Sequence, residues 1–202
     1  MNPDIETVRL LDLMPASGRM RTKIISKPEQ SRVVMAPQPL PWWPDRPIYI
    51  NFDLWRYLSE PQRDLLLLRS VCWVNTINLL KPTWNHLFAL AGVIGGGVEY
   101  SQGDAIGMIV GGGLAMVALS RLWRRPNTTA SEIDADLAAL KIAGRRGYPE
   151  AVAAEHLLGA IEQVASIEGG RGLNLTELLR CQNLKTIAGL SNVAVPTDLR
   201  MS

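Results

Sequence analysis

The sequence has little net charge, few cysteines and few histidines. Its 202 residues carry 21 Lys and Arg against 19 Asp and Glu, a net charge of +2, so no strong electrostatic field favours nucleic acid. Cys72 and Cys181 lie far apart without a CxxC spacing, which favours reduced thiols in a cytosolic-type compartment over a disulfide. The first residues include acidic side chains and no long apolar run, so no secretory signal is expected.

Charged side chains are absent from two stretches in the middle of the chain. Residues 83–98 and 105–120 are each 16 residues long, close to the lower limit for a helix that crosses a bilayer. We therefore predict a transmembrane or re-entrant helical hairpin over residues 83–123, with a buried hairpin of a soluble α-domain as the alternative. Glycines four residues apart would let its two helices approach closely. These packing glycines are Gly92, Gly96, Gly107 and Gly111.

The position of the arginines sets the expected orientation of this hairpin. Arg121, Arg124 and Arg125 follow directly, and positive residues flanking membrane helices favour the cytoplasmic side. We therefore predict an integral membrane protein with its soluble part on that side and the lipid bilayer as one partner.

The rest of the chain predicts a mostly helical α+β fold. Ile48, Ile50 and Phe52 alternate with polar residues, as in a half-buried strand at the edge of a small sheet. Ser59 and Gln62 form a capping box that opens a buried helix extending to about residue 80. The other predicted elements are a helix over 4–14, a β-hairpin or meander of strands 23–26 and 32–35, and helices over 129–143, 149–168 and 175–190.

These elements divide into three predicted segments. Residues 1–82 hold the first helix, the small meander and the buried helix, residues 83–123 hold the hairpin, and residues 124–202 hold the C-terminal helices.

Two short motifs resemble the integral-membrane M48-type metalloproteases. Ser131-Glu132-Ile133-Asp134-Ala135-Asp136 matches the ExxAD motif of that family, and Gly147-Tyr148-Pro149 matches the turn that follows it. The similarity extends over about residues 20 to 190 and implies a zincin-like domain with an inserted membrane hairpin. The chain also resembles a family of short cyanobacterial membrane proteins related to inactive M48 members, which implies a thylakoid or plasma membrane.

The zinc ligands of the metalloprotease motif are missing. The HExxH position is occupied by Arg69-Ser-Val-Cys-Trp73, so an arginine and a tryptophan replace the two imidazoles, and Ser70 replaces the catalytic glutamate. Neither a guanidinium nor an indole can donate a lone pair to zinc. His86 and His156 are the only histidines, and they do not lie in HExxH spacing. We therefore predict no metal, no cofactor and no catalysis by this route.

The remnant of that site is expected to serve a structural purpose. The remnant residues are Arg69, Ser70, Trp73, Glu132 and Asp136. If the fold resembles the family, the cation of Arg69 replaces the metal and pairs with Glu132. The alternative is that both side chains project into solvent or pair elsewhere.

These inferences predict a membrane-anchored pseudoprotease that binds a membrane protein or complex as an assembly or stability factor. It would hold its partner beside the predicted edge strand 47–52. One alternative is a permanent small structural subunit of a photosynthetic membrane complex, and a second is a residual hydrolase. No nucleic-acid partner is expected.

Overall fold

The computed structural model describes residues 1–37, 45–76, 129–169 and 172–193, together with eleven residues between positions 91 and 117. The chain divides into two units. The first combines Met1–Ile77 with Thr128–Ser202, and the second is Asn78–Asn127. The outer predicted segments, 1–82 and 124–202, thus both contribute to the first unit.

Local sequence signals account for the helices of the first unit. Asn2 caps the first helix by accepting a hydrogen bond from the Asp4 N–H. The Gln62 side chain accepts from the Ser59 N–H at 2.9 Å, which is one half of the predicted capping box. Asn174 and Glu177 form a complete capping box. The helices are α1 (Pro3–Leu13), α2 (Ala16–Arg21), α3 (Phe52–Trp55), α4 (Glu60–Thr76), α5 (Thr129–Gly144), α6 (Glu150–Ile167) and α7 (Leu175–Ile187).

The sheet has three strands in the order β1-β3-β2, which corrects the predicted meander. The strands are β1 (Thr22–Ser26), β2 (Val34–Met35) and β3 (Arg46–Ile50). β1 pairs parallel to β3, and β2 pairs antiparallel to it, so the predicted hairpin between the first two strands is wrong. Asn51 holds the connecting loop instead, because its amide donates to the carbonyls of Pro28 and Gln30.

The central position of β3 contradicts its prediction as an edge strand. Ile48 and Ile50 are fully buried, and the strand has a neighbour on each side. This middle place shields the side chains of Ile48 and Ile50 from water, and their burial stabilises the sheet. At Tyr49 and Ile50, which pair with β2 as well as with β1, the backbone of β3 therefore offers no free edge to a partner segment.

Helix α4 organises the core of the first unit. It packs against α5, α6, β3, α1 and α2. Leu65 and Leu68 join a cluster with α5, α6 and α7, whereas Leu66, Leu67 and Val71 join a second cluster with α1, α3 and the sheet. Because the two clusters contain different leucines of α4, the helix is buried on nearly every side, as the sequence predicts. Each fully buried leucine contributes about 2 kcal/mol of transfer free energy.

The predicted membrane hairpin is wrong. Within the described residues, no helix is long and apolar enough to cross a membrane. The physical reason lies in the sequence, since each uncharged run is only 16 residues long and interrupted by glycines, against the roughly 20 apolar residues of a usual span. The predicted integral membrane location depended on this hairpin and is therefore wrong as well. The packing glycines Gly92, Gly96, Gly107 and Gly111 lie outside the described residues, as do the flanking arginines.

The described residues of the second unit are helical and mostly exposed. Ile94, Ile109 and Met116 expose 59%, 72% and 73% of their surface, whereas Ala115 is buried.

Candidate functional site

The structure brings Arg69 and Glu132 together as an ion pair between α4 and α5. The two helices run antiparallel, because Tyr148, just after α5, contacts Asp64 near the start of α4. Glu132 and Asp136 are four residues apart and therefore lie on one face of α5. The predicted contact between Arg69 and Glu132 is present.

Asp136 is the most deeply buried charge of this cluster. It is fully buried and accepts two hydrogen bonds of 2.8 Å from Nε and Nη2 of Arg180 on α7. Arg69 Nε lies 3.5 Å from Asp136 Oδ1 on the other side. Two arginines and two carboxylates thus form a neutral network, here called the core ion network, made of Arg69, Glu132, Asp136 and Arg180.

Burial dominates the electrostatics of this network. Loss of water around the guanidinium, together with the nearby charge of Arg180, lowers the pKa of Arg69 to about 10, although Asp136 acts in the opposite direction. Arg69 still remains a cation at neutral pH and occupies the space between the carboxylates. In the described part of the chain, no three His, Cys, Asp or Glu side chains cluster in a way that could hold a metal ion.

The other remnant residues are buried without a catalytic arrangement around them. Ser70 donates its hydroxyl proton to the Leu66 carbonyl at 2.8 Å, a bond within its own helix. Trp73 is buried, and its indole N–H has no partner within the described residues. Burial raises the pKa of Cys72 to about 12 and that of Cys181 to about 11, so both thiols are protonated at neutral pH.

A second polar cluster joins α1 to α4 and was not predicted. Arg9 Nη1 lies 2.6 Å from Asp64 Oδ1, and its other nitrogens donate to Glu6 at 2.9 and 3.0 Å. The hydroxyl of Tyr148 donates to Asp64 Oδ2 at 2.9 Å. Arg63 also donates to Glu6 at 2.9 Å. Burial, followed by the hydrogen bond from its hydroxyl to the Asp64 carboxylate, raises the pKa of Tyr148 to about 12.

Sequence reasoning missed Asp64 and Arg180 because each is a charged residue beside apolar neighbours and was not recognised as buried. Asp64 precedes four leucines and reads as a helix-surface residue, yet it is only 4% exposed. Arg180 stands between Leu179 and Cys181 on the apolar side of its helix. A lone charge in an apolar stripe was the available signal, because such a charge stays buried only when it is paired.

His156 shows no catalytic partner among the described residues. Its ring meets that of Tyr148 edge to face, with the centroids 6.3 Å apart. This contact packs the start of α6 against the turn that follows α5. The other histidine, His86, lies outside the described residues.

Comparisons with known proteins contradict the predicted kinship. No curated protein and no solved structure matches the chain. The family model that matches the chain is described only as a protein of unknown function, and no M48-type metalloprotease matches, so the predicted resemblance and the cyanobacterial membrane assignment that came with it are wrong. Spacing misled the prediction, because two carboxylates four residues apart suit an arginine pair as well as a zinc site. Residues 8–148 match the family described as protein of unknown function (DUF3318), and because this is more than half of the sequence, the chain belongs to the DUF3318 family.

Proposed function

We propose that this chain is a non-catalytic binding protein that holds a partner protein through the apolar helical surface of its second unit. The exposure of large apolar side chains carries this proposal. Ile94, Ile109 and Met116 expose more than half of their surface to water, as do two valines beside them in sequence. Four of these five side chains fall within residues 109–117, and large exposed apolar side chains that cluster on a folded protein usually mark a binding site. We call the exposed residues Ile94, Ile109, Val110, Met116 and Val117 the apolar surface.

The spacing of these residues supports a single binding face. Ile109 and Met116 are seven residues apart, so they lie on the same side of a helix. Gly112 and Gly113 lie between them, and a Cβ atom added at either glycine would meet nothing within 4 Å. A partner helix could therefore approach the backbone closely between the two large side chains.

The expected partner surface is apolar, because the two stretches of sequence that contain the apolar surface carry no charged side chain. Residues 83–98 and 105–120 contain no Asp, Glu, Lys or Arg. Association would be driven by burial of apolar area and would change little with salt concentration.

The first unit supports the non-catalytic part of the proposal. Its carboxylates at positions 132 and 136 are neutralised by arginines, and its thiols hold their protons at neutral pH. A general base or nucleophile must be free to exchange a proton with a substrate, and these groups are committed to the fold.

The decisive experiment first identifies the partner by crosslinking and then compares substitutions at two exposed methionines, Met116 and Met20. A photo-crosslinking residue at position 109 in the full chain is expected to give one defined adduct, which mass spectrometry identifies. Met116→Ser is expected to weaken binding of that purified partner at least about tenfold, since burying a methionine is worth roughly 1.5–3 kcal/mol. Met20→Ser is the control, because Met20 is 86% exposed and belongs to the first unit.

Three results would contradict the proposal. Equal loss of binding in both variants would show that the apolar surface has no special role. A change in melting temperature for Met116→Ser alone would show that the side chain stabilises the fold instead. Peptide hydrolysis by the purified chain that disappears in Glu132→Gln would make it an enzyme.

A further inference from the structure

We infer that Arg21 and Arg46 form a binding site for a phosphate group at the end of the β1–β3 pair. The strand register places Thr22 opposite Arg46, and Arg21 directly precedes Thr22 at the end of α2. The two arginines therefore meet at one corner of the sheet, in the first unit and separate from the core ion network. Nothing in the proposed binding function of the second unit accounts for them.

Arg46 is unusual among the partly buried arginines of this unit. Arg9, Arg63, Arg69 and Arg180 each form an ion pair with a carboxylate. Arg46 forms none with any described residue. Burial, followed by the charge of Arg21, lowers the pKa of Arg46, in agreement with the strand register that brings the two cations to one corner. An uncompensated pair of this kind is costly, and a bound anion would relieve the cost.

The protein itself uses only one nitrogen of Arg46. Nη1 donates to the Val74 carbonyl and, at 3.1 Å, to the Asn75 side chain. Nε and Nη2 have no partner in the described part of the chain. This pair of nitrogens is the edge of a guanidinium that binds two oxygens of a phosphate or carboxylate at once.

A third group at this corner also lacks a partner. The hydroxyl of Thr22 is buried, with the residue only 3% exposed, and it has no hydrogen-bond partner within the described residues. Paired residues on neighbouring strands project to the same face of a sheet, so this hydroxyl lies on the Arg46 side. Two guanidinium groups and a hydroxyl match the three acceptor oxygens of a phosphate better than the two of a carboxylate.

Nearby acidic residues do not occupy the site. Asp45 pairs with Lys23 at 2.5 Å, and Asp12 lies 3.4 Å from Arg19. Residues 38–44 and 77–90, which adjoin this corner in sequence, contain no Asp or Glu. The local charge thus remains positive by about two units, from Arg21 and Arg46, and favours an anion from solution.

The test is a titration of the full chain with inorganic phosphate, followed through the arginine Nε–Hε signals in NMR. We expect saturable shifts of the Arg46 signal, and Arg21→Ala should weaken binding roughly tenfold, which corresponds to one charge-assisted hydrogen bond. Arg46→Lys keeps the charge but removes the bidentate edge, and it should weaken binding similarly. Arg145→Ala, another exposed arginine, is the matched control and should leave binding unchanged.

Further titrations identify the source of the phosphate and can overturn the site. Tighter binding of phenyl phosphate than of inorganic phosphate would indicate a phosphomonoester ligand, whereas the reverse would indicate the free ion. Equal shifts with sodium chloride at matched ionic strength would overturn the site, since they would reflect only screening. Equal weakening by Arg145→Ala would overturn it as well. If Arg46→Lys loses its fold, judged by circular dichroism, the exposed Arg21→Ala variant decides: unchanged phosphate binding in that variant would overturn the site.

Discussion

At the scale of single residues, Asp136 is the charge on which the core ion network depends. Its two oxygens accept from Arg180, and Arg69 lies 3.5 Å away. Removing one partner of a buried ion pair strands the other charge, which costs more than the pair itself contributes. Asp136→Asn is therefore expected to lower the free energy of unfolding by about 3–5 kcal/mol, measured by urea denaturation.

Two further variants separate this effect from a general loss of charge on α5. Asp134→Asn lies on the exposed face of the same helix and should change stability by less than about 0.5 kcal/mol. The double variant Asp136→Asn with Arg180→Met removes both buried charges and should recover part of the loss. If the double variant loses as much stability as Asp136→Asn and Arg180→Met, each measured alone and then added together, or more, the network is not a coupled unit.

The two thiols make a second prediction at this scale. Because burial raises the pKa of Cys72 to about 12 and that of Cys181 to about 11, the thiolate is scarce at pH 8. A thiol reagent such as iodoacetamide should label neither residue in the native protein and both after denaturation. Rapid labelling of a protein with native circular dichroism would contradict the described burial.

At the scale of elements, Tyr148 and Asp64 connect the turn before α6 to α4, and Arg9 extends the connection to α1. Tyr148→Phe removes one hydrogen bond to a charged group and should cost about 1.5–3 kcal/mol near pH 7. Tyr57→Phe is the control, because Tyr57 is 58% exposed, and its cost should be close to zero.

The effect of Tyr148→Phe should also depend on pH. The folded state raises the pKa of Tyr148 from 10 to about 12, so its contribution is complete below pH 10 and is lost as the pH rises through 12. The stability difference between the native protein and Tyr148→Phe should therefore narrow over that range. A difference that stays constant up to pH 12 would show that the hydroxyl does not donate to Asp64.

At the scale of the whole molecule, the second unit is an insertion between two helices of the first. Thr76 and Thr129 lie at the same end of the antiparallel pair α4 and α5, on the order of 10–15 Å apart by helix spacing and rise. Replacing residues 78–127 by a Gly/Ser linker of about eight residues should leave the first unit folded, since such a linker spans this gap. Cooperative thermal unfolding of the shortened chain tests this.

The same shortened chain tests the division of functions. It should bind no partner through the apolar surface but should still bind phosphate at Arg21 and Arg46. A shortened chain that fails to unfold cooperatively would show that the two units stabilise each other.

Short-range features were predictable and long-range ones were not. The start of α4 follows from the capping residues Ser59 and Gln62, three positions apart, and the burial of α4 follows from its run of apolar side chains. The order of the strands did not follow, because Thr22 and Arg46 are 24 residues apart and the sequence between them gives no signal for parallel pairing. The metalloprotease assignment failed for a related reason, since the spacing of Glu132 and Asp136 fixes a shared helix face and not what that face meets.

The sequence by itself determined the longer helices α1, α4, α5, α6 and α7, though not the short α2 and α3, of which α3 begins at Phe52 where a strand was predicted. It also determined which helix is central and that Arg69 cannot bind zinc, because these properties depend on side-chain chemistry and on neighbours within one helical turn. Only the tertiary structure decided that Arg180 neutralises Asp136, that Asp64 is buried against Tyr148 and that β3 lies in the middle of the sheet. A buried charge can be paired by any residue that the fold brings within about 4 Å, and its distance along the chain places no limit on that choice.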